Sequence, residues 1–344
     1  MKIRKEVEEF SPYDSDRGSR EVNLDKNESP FPLPAELETK LHRALERTNL
    51  NRYPSPGSEK LREKLAEFHG VRPSNVVAGS GSDQLISYTV KLFAGNHVIT
   101  TPPTFSMYRF YSELAGYEVR EVPLTDRFEL DLEGIKDRLE GAATVFLCSP
   151  NNPTGNRFER DKLLEILETG KPVVLDEAYT EFAEESEIDL IGEFDNLIIL
   201  RTFSKAFGLA GVRVGYALAG EETAGQLLRV KPPYNLNSIS ARLAELALEN
   251  YDPIRQRVNN IVRERTNLYD RFSRYAYPSE ANFLLLDLDA GDFLGKKGIG
   301  VRTFSGELSE KIRITIGTRE ENERVAASLE EYVKEFKPSK NQTN

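Results

Sequence analysis

Short apolar segments alternate with amphipathic stretches of helical length between about residues 75 and 220. Rich in Val, Ile and Leu and bounded by Gly, Pro, Asn or Asp, these segments are typical of strands. They predict seven strands, at residues 75–78, 97–100, 117–122, 144–148, 172–175, 197–201 and 214–219. Because several are apolar throughout, helices should cover both faces. The pattern therefore predicts an α/β fold with a mostly parallel seven-stranded sheet sandwiched by helices.

The pattern changes after Lys231-Pro232-Pro233. Long helices are predicted there, followed by short strands and a charged terminal helix, at residues 238–249, 253–274, 283–288, 300–303, 311–316 and 319 to about 336. We expect a smaller α+β domain over 231–344, whose polar end at 337–344 frays. Residues 1–30 lack periodicity and predict an arm laid over another surface. The large α/β domain would then span residues 31–230.

Composition limits the partners. A net charge of −10 disfavours nucleic acid, which clustered Lys and Arg bind. Hydrophobic residues at 39% and charged residues at 30% are typical of an ordinary globular protein. Neither a signal core in residues 1–10 nor an apolar stretch of spanning length is visible, so we expect no membrane partner and a cytoplasmic location.

Metal and thiol chemistry are not indicated. Cys148 is the only cysteine and lies in an apolar run, which predicts a buried, inert thiol. His42, His69 and His97 are too widely spaced to suggest metal ligands, so we expect no metal site.

Two glycine- or proline-rich turns follow predicted strands, where ligands bind in open α/β sheets. The turn at residues 79–83 offers backbone N–H groups and a helix N-terminus to a phosphate, although a plain tight turn explains it equally well. The segment at residues 149–155 has two Pro, two Asn and one Gly, which form a rigid loop able to aim an amide side chain.

Three charged residues also lie at strand ends. Asp176 would place a carboxylate at the edge of a buried strand, which is costly unless a cation pairs with it, and helix capping is the alternative. Lys205, among small and aromatic residues, would lose hydration and become an amine nucleophile, unless it is a solvated surface lysine. Arg213, eight residues further on, suits a phosphate or a structural ion pair.

Together these features indicate one ligand. It needs an aldehyde for Lys205, a cationic ring nitrogen for Asp176, and a hydroxyl for Asn152 and Tyr179. It also needs a phosphate for the glycine-rich turn and for three side chains, Thr202, Ser204 and Arg213. Pyridoxal 5′-phosphate (PLP) carries all four groups.

With these residues, the sequence resembles the fold type I PLP-dependent aminotransferases over nearly its whole length. Among them it most resembles those that act on histidinol phosphate. The resemblance rests on the following motifs: Ser11-Pro12-Tyr13, Asn27-Glu28, Arg52-Tyr53-Pro54, Gly81-Ser82-Asp83, Pro102-Pro103-Thr104-Phe105, Asn151-Asn152-Pro153-Thr154-Gly155, Asp176-Glu177-Ala178-Tyr179, Ser204-Lys205-Ala206-Phe207, Arg213, and Arg313 before Ile314-Thr315-Ile316-Gly317.

The resemblance implies a role for each cofactor residue. Lys205 would hold the cofactor aldehyde and later carry a proton from the substrate Cα. Asp176 would keep the ring nitrogen protonated, while Asn152 and Tyr179 hold the ring oxygen. Phe105, often tyrosine in the family, would stack on the ring. The phosphate would be bound by Gly81, Ser82, Asp83, Thr202, Ser204 and Arg213.

Substrate and partner residues follow from the same resemblance. Arg313 resembles the clamp for the substrate carboxylate, with Asn152 beside it. Tyr53 would reach across a homodimer interface to the neighbouring cofactor phosphate. Three further substrate contacts are implied, a lid tyrosine, an arm residue and an arginine for a distal phosphate, at Tyr13, Asn27 and Arg302. The family's Asn-Glu-Asn-Pro is Asn-Glu-Ser-Pro at residues 27–30.

The expected activity is amino transfer between amino acids and 2-oxo acids, with L-histidinol phosphate and 2-oxoglutarate giving imidazole-acetol phosphate and L-glutamate in histidine biosynthesis. An aromatic amino acid aminotransferase or a threonine-phosphate decarboxylase of the same fold are the alternatives. A nicotinamide dehydrogenase is disfavoured because the first strand lacks a G-x-G-x-x-G turn. A DNA-binding regulator is disfavoured by the acidic balance.

Overall fold

A computed structural model describes residues 3, 5–8, 10, 20–46 and 48–336. Its larger sheet has seven strands, β2 (Val76–Gly79), β3 (His97–Thr100), β4 (Glu118–Glu121), β5 (Ala142–Cys148), β6 (Val173–Asp176), β7 (Leu197–Thr202) and β8 (Gly215–Ala219). Their order is β2-β8-β7-β6-β5-β3-β4. All seven lie where the apolar segments predicted them, within about two residues at each end.

Strand direction in this sheet gathers several loops at one edge. Neighbours from β4 through β3, β5 and β6 to β7 are parallel, whereas β8 is antiparallel to both β2 and β7. The carboxyl ends of β5, β6 and β7 therefore share an edge, with Cys148 opposite Asp176 and Asp176 opposite Leu200. Because β8 is reversed, the loop that precedes it reaches the same edge.

Both faces of this sheet are covered, as the apolar strands require. In β7, Leu197 and Ile199 pack into one core cluster while Ile198 and Leu200 pack into the other. The second cluster includes side chains of three helices, α4 (Ser82–Leu92), α5 (Met107–Leu114) and α8 (Glu221–Val230). The first includes side chains of α3 (Glu59–His69), α6 (Leu132–Lys136) and α7 (Arg160–Leu167).

A four-stranded sheet follows the order β1-β10-β11-β9. Its strands are β1 (Val22–Leu24), β9 (Phe283–Leu286), β10 (Ile299–Thr303) and β11 (Ile312–Thr315). The remaining helices are α1 (Lys5–Glu8), α2 (Ala35–Glu46), α9 (Ser238–Glu249), α10 (Tyr251–Phe272), α11 (Gly291–Lys296) and α12 (Arg319–Phe336). Within the described ranges, no helix combines the length and apolarity needed to cross a membrane.

The N-terminal arm contains a strand that the sequence did not predict. Val22 and Leu24 are buried, and β1 pairs in parallel with β10. A strand of three residues is too short to show an alternating pattern, so periodicity missed it. The N-terminal segment thus completes a sheet built otherwise from the last third of the chain. The domain boundaries at residues 30 and 230 stay a prediction.

Candidate active site

Asp176 is a buried carboxylate at the end of β6. It is 3% exposed, its Oδ1 accepts a hydrogen bond from the backbone N–H of Ala178 at 3.0 Å, and its Oδ2 accepts one from the hydroxyl of Tyr108 at 2.7 Å. Burial nevertheless raises the pKa of Asp176 to about 6. Such a carboxylate gains most from a cationic partner.

Lys205 lies in the loop after β7 and supplies an enclosed amine. Its Nζ donates to the backbone oxygen of Lys26 at 2.9 Å and lies 5.8 Å from the ring centre of Tyr179. Loss of hydration, followed by the positive charge of Arg313, lowers the pKa of Lys205 to about 8. A larger share of neutral amine is therefore present near neutral pH than an exposed lysine would provide.

Arg313 and Tyr179 connect the two sheets. From β11, Nη1 of Arg313 donates to Oδ1 of Asn152, and Nη2 donates to the backbone oxygen of Asp25 at 2.6 Å. Nδ2 of Asn27 donates to the Tyr179 hydroxyl at 3.0 Å. Burial raises the pKa of Tyr179 above its ordinary value, so this hydroxyl stays protonated near neutral pH. The residues just after β1 therefore contact two predicted site residues.

A cradle of potential anion ligands lies at the start of α4, and it consists of Gly81, Ser82, Asp83, Thr202, Ser204 and Arg213. Nη2 of Arg213 is 3.1 Å from Oδ2 of Asp83, and its Nη1 is 3.4 Å from Oγ of Ser204. The backbone N–H of Ser204 in turn donates to the Thr202 hydroxyl at 3.1 Å. The first backbone N–H groups of a helix favour an anion. Helix α4 begins at Ser82, so its first N–H groups can act together with the Arg213 guanidinium and the hydroxyls of Ser204 and Thr202.

Two glycines allow this cradle to close. A Cβ on Gly81, whose φ is +81°, would lie 2.6 Å from Nη2 of Arg213. A Cβ on Gly215 would lie 2.4 Å from the backbone nitrogen of Ser82. Side chains at these positions would occupy the space in which the arginine and the helix terminus approach each other.

Asn151 holds the loop that presents Asn152. It is fully buried, and its Nδ2 donates to the Pro103 backbone oxygen at 2.9 Å and to the Thr154 hydroxyl at 2.7 Å. Its Oδ1 accepts from the Thr104 hydroxyl at 2.9 Å. One asparagine thus joins the loop after β3 to the loop after β5.

The structure brings most of the predicted site residues together at the strand ends or in the cradle: Gly81, Ser82, Asp83, Asn152, Asp176, Tyr179, Thr202, Ser204, Lys205, Arg213, Arg313 and, from the arm, Asn27. Phe105 is partly buried and meets Tyr108 edge-on at 5.6 Å between ring centres. Arg302 is exposed, directly across from Arg313 in the sheet.

Tyr53 stands apart from these residues. The side chain of Tyr53 is 82% exposed, and its ring stacks on Tyr234 at 4.7 Å. Tyr13 lies outside the described residues. The predicted burial of Cys148 is confirmed, because the residue is 1% exposed and its surroundings raise the pKa of the thiol.

Sequence reasoning missed Tyr108, whose hydroxyl contacts Asp176. The available signal was its position only three residues after Phe105, at the start of the helical segment that follows β3. The backbone oxygens of Asp25 and Lys26 were missed as well, since any residue type offers such an acceptor.

The mostly parallel sheet joins a buried carboxylate, an enclosed amine and an anion cradle at its strand ends, which is the arrangement expected of a PLP-dependent enzyme of this fold. The model of the family "Aminotransferase class I and II" matches residues 19–329, and the chain belongs to this family. The histidinol-phosphate aminotransferase of Pyrococcus furiosus is 47% identical over 333 residues, which cover 97% of this chain and 98% of that protein. The corresponding enzyme of Thermoanaerobacter pseudethanolicus is 39% identical over 346 residues, with 96% and 98% covered.

Solved structures agree with this assignment. The histidinol-phosphate aminotransferase of Sinorhizobium meliloti, in complex with pyridoxal 5′-phosphate, superposes with a TM-score of 0.87 at 26% identity, covering 97% of this chain and 98% of that one. The predicted family and the predicted fold, a mostly parallel seven-stranded sheet between helices with a smaller α+β part, are therefore confirmed.

Proposed function

We propose that the protein is a PLP-dependent transaminase that converts L-histidinol phosphate and 2-oxoglutarate into imidazole-acetol phosphate and L-glutamate, as part of histidine biosynthesis. Two curated relatives with this name, 47% and 39% identical over nearly the full length, support the choice of substrate. The chemistry of the site supports it independently, as follows.

The residues of the site fit the cofactor. At Gly215 a Cβ would lie 2.4 Å from the backbone nitrogen of Ser82, so glycine permits this close backbone approach, and the cradle offers N–H groups, hydroxyls and the Arg213 guanidinium to a phosphate. Asp176 offers a buried carboxylate to a cationic ring nitrogen, and Lys205 an enclosed amine to an aldehyde. When bound, PLP supplies an electron sink that allows an amino group to leave one carbon and join another.

The chain's own residues then handle protons and orientation. Lys205 takes the proton from the substrate Cα, a role for which its pKa of about 8 gives a larger share of neutral amine near neutral pH than an ordinary lysine has. Asp176 holds a proton at the ring nitrogen. The Tyr179 hydroxyl and the Asn152 amide orient the ring oxygen, while Phe105 limits movement of the ring face. Thr202, Ser204 and Arg213 fix the phosphate, and so place the reacting atoms beside Lys205.

The observation that carries the choice of substrate is the pairing of two arginines. Arg302 on β10 is the direct partner of Arg313 on β11. Directly opposed residues of antiparallel strands share one face, with Cβ atoms about 5 Å apart. Two guanidiniums on one face suit a phosphate monoester, which histidinol phosphate carries on the carbon that is a carboxylate in ordinary amino acids. Either guanidinium also suits the carboxylates of glutamate.

A substrate panel tests this proposal. The purified protein is given histidinol phosphate, histidinol, phenylalanine or threonine phosphate with 2-oxoglutarate, and glutamate formation and carbon dioxide release are followed. We expect the highest kcat/KM for histidinol phosphate. A preference for phenylalanine would point to an aromatic aminotransferase, and carbon dioxide from threonine phosphate to a decarboxylase. Either result would overturn the proposed substrate.

Variants sharpen the test. Arg302→Gln should raise the KM for histidinol phosphate about tenfold and change that for phenylalanine little, since only the former carries a phosphate. The matched control is Arg127→Gln at an exposed loop position. Equal effects of Arg302→Gln on both substrates would remove the phosphate role of Arg302.

We further propose a homodimer in which Tyr53 completes the neighbouring site. Tyr53 is 82% exposed, the stacked Tyr234 is 42% exposed and the nearby Leu50 is 68% exposed, an unusual apolar group for a free surface. Mixing two inactive variants, Lys205→Ala and Tyr53→Ala, tests this. Hybrid dimers would hold one site with both native residues, so activity should return on mixing. A monomer by light scattering, or no recovery after verified subunit exchange, would contradict the proposal.

A cytoplasmic location completes the proposal. It is supported by a single buried cysteine, which is typical of chains kept in a reducing compartment. Fractionation of the source cells with an antibody against the protein tests it, and recovery in a membrane or secreted fraction would overturn it.

A further inference from the structure

Tyr108 is a fully buried tyrosine that the proposed mechanism does not use. It lies on α5, and its hydroxyl donates to Oδ2 of Asp176 at 2.7 Å. Its ring stacks on Phe146 with centres 5.1 Å apart and planes 9° apart, and it meets Phe105 edge-on at 5.6 Å and 82°. One side chain therefore contacts both the carboxylate and the aromatic ring assigned to the cofactor ring.

The surroundings of Asp176 explain why this contact matters. The titratable groups that act on it include Tyr108 from α5, Asp83 from α4 and its neighbour Glu177, and Tyr179 interacts electrostatically with it from the turn after β6. The two carboxylates disfavour its ionised form, as does burial, whereas the Tyr108 hydroxyl and the Ala178 N–H favour it. Cys148 of β5, buried beside it, stays a neutral thiol because burial raises its pKa. Tyr108 is thus the side-chain donor that opposes the burial cost.

The hydrogen bond from Tyr108 also helps to fix the orientation of the Asp176 carboxylate. With Oδ1 held by Ala178 and Oδ2 held by Tyr108, the carboxyl plane of Asp176 cannot rotate without breaking a hydrogen bond. Stacking on Phe146, itself fully buried in β5, fixes the Tyr108 ring in turn. Rigid residues packed behind a functional group, as Tyr108 and Phe146 are behind Asp176, keep that group in the orientation that catalysis requires.

We propose that Tyr108 is a positioning residue whose hydroxyl orients Asp176 toward the cofactor ring nitrogen and keeps it ionised, while its ring sets the position of Phe105. The part that concerns the ring nitrogen rests on the proposed function. The part that concerns the ionisation of Asp176 is a property of the chain alone, so the two can fail separately.

Tyr108→Phe removes one oxygen atom and keeps both ring contacts. The matched control is Tyr117→Phe, which removes a hydroxyl that donates to the Phe93 backbone oxygen at the same distance of 2.7 Å. Carboxyl titration by ¹³C NMR of the cofactor-free protein, assigned through loss of the signal in Asp176→Asn, is the first measurement. We expect the Asp176 midpoint to move upward by about one pH unit in Tyr108→Phe and to stay unchanged in Tyr117→Phe. An unchanged midpoint in both would overturn the ionisation role.

The second measurement uses PLP and its 1-deaza analogue, which lacks the ring nitrogen. At pH 7, Tyr108→Phe should weaken PLP about tenfold relative to Tyr117→Phe and leave the analogue unchanged. When Asp176 is already replaced by Asn, adding Tyr108→Phe should not weaken PLP binding further. This comparison tests the coupling between Tyr108 and Asp176 even if Tyr108→Phe alone is poorly stable. Equal weakening of both ligands would show general loosening and overturn the orienting role. Failure of the unaltered protein to bind PLP would instead reject the proposed function.

Discussion

Arg313 of the four-stranded sheet donates a hydrogen bond to Asn152, in the loop that follows β5 of the seven-stranded sheet. The other end of the guanidinium donates to the Asp25 backbone oxygen, and its centre lies 5.2 Å from the ring centre of Phe283. The planar group is therefore held in one orientation before any ligand arrives. Such preorganisation suits bidentate binding of a carboxylate or phosphate.

Arg313→Lys should raise the KM for glutamate and for 2-oxoglutarate by about 10- to 100-fold, because an ammonium group cannot reproduce the planar pair of hydrogen bonds. Absorbance of the bound cofactor should stay unchanged. Steady-state kinetics with both substrates measure this, with Arg127→Lys as the exposed control. Unchanged KM values would exclude Arg313 from substrate binding.

Arg213→Gln should weaken PLP about tenfold or more and leave pyridoxal, which lacks the phosphate, unaffected. Isothermal titration of the cofactor-free protein with both ligands provides the comparison. Since Nη2 of Arg213 also pairs with Asp83, an Asp83→Asn variant, which removes the charge of that pair but keeps the backbone N–H groups at the start of α4, measures how much of the loss comes from the ion pair. If pyridoxal binding falls as much as PLP binding, the arginine acts on local structure instead.

The rate of PLP capture by the cofactor-free protein should depend on the ionisation of Lys205. Burial and Arg313 lower its pKa to about 8, so half of the amine is neutral near pH 8 and most of it is neutral one pH unit higher. Stopped-flow absorbance across the range from about pH 6 to 10 should show a rate that rises through a midpoint near pH 8 and levels off above about pH 9. A rate that still climbs steeply at pH 9 would mean that the amine keeps the pKa of an ordinary lysine.

The same shift has a consequence for stability. The folded-state pKa of Lys205 is below the value of about 10.4 expected in the unfolded chain. Between these values the unfolded state binds more protons, so this residue makes the free energy of unfolding increase as pH rises from about 8 to 10. Chemical unfolding of the cofactor-free protein and of cofactor-free Lys205→Met at pH 8 and 10 measures the difference. The increase should be smaller in the variant.

A buried ion pair next to the site should govern stability. Arg201, one residue before Thr202, pairs with Glu177 at 2.7 Å, and both side chains are under about a tenth exposed. Arg201→Leu would leave that carboxylate buried without its cation, at a cost of about 3–5 kcal/mol. Urea unfolding measures this change. Arg324→Gln, whose surface pair with Glu21 is 41% and 73% exposed, should unfold like the native protein.

The sequence predicted the seven-stranded sheet well because most of its strands, β4 (Glu118–Glu121) apart, are mostly apolar and are buried on both faces. In the smaller part, the predicted helices at 238–249 and 319–336 agree with α9 and α12 at both ends. Strand β1 escaped prediction because Val22–Leu24 is too short for periodicity and depends on a partner nearly three hundred residues away. Pairing over that distance leaves no local signal.

Site residues were predictable where residue type and strand position coincided, as for Asp176, Lys205 and Arg213. Contacts that depend on long-range packing were not. The Tyr108 hydroxyl meets Asp176 across 68 residues, and the Lys205 amine meets the Lys26 carbonyl across 179. A tyrosine at position 108 and a backbone carbonyl at position 26 do not indicate these partners in the sequence. Only the folded structure shows the two contacts.

The reversed direction of β8 has one more consequence. Because β7 and β8 are antiparallel and no α-helix lies between them, a single loop carries both the Lys205 amine and the Arg213 guanidinium. The spacing between these two charges is thus set by covalent chain length, whereas the spacing to Asp176 is set by strand packing. Insertions in loops away from this edge of the sheet can be absorbed at the surface, but an added residue between Lys205 and Arg213 would alter the spacing of amine and guanidinium.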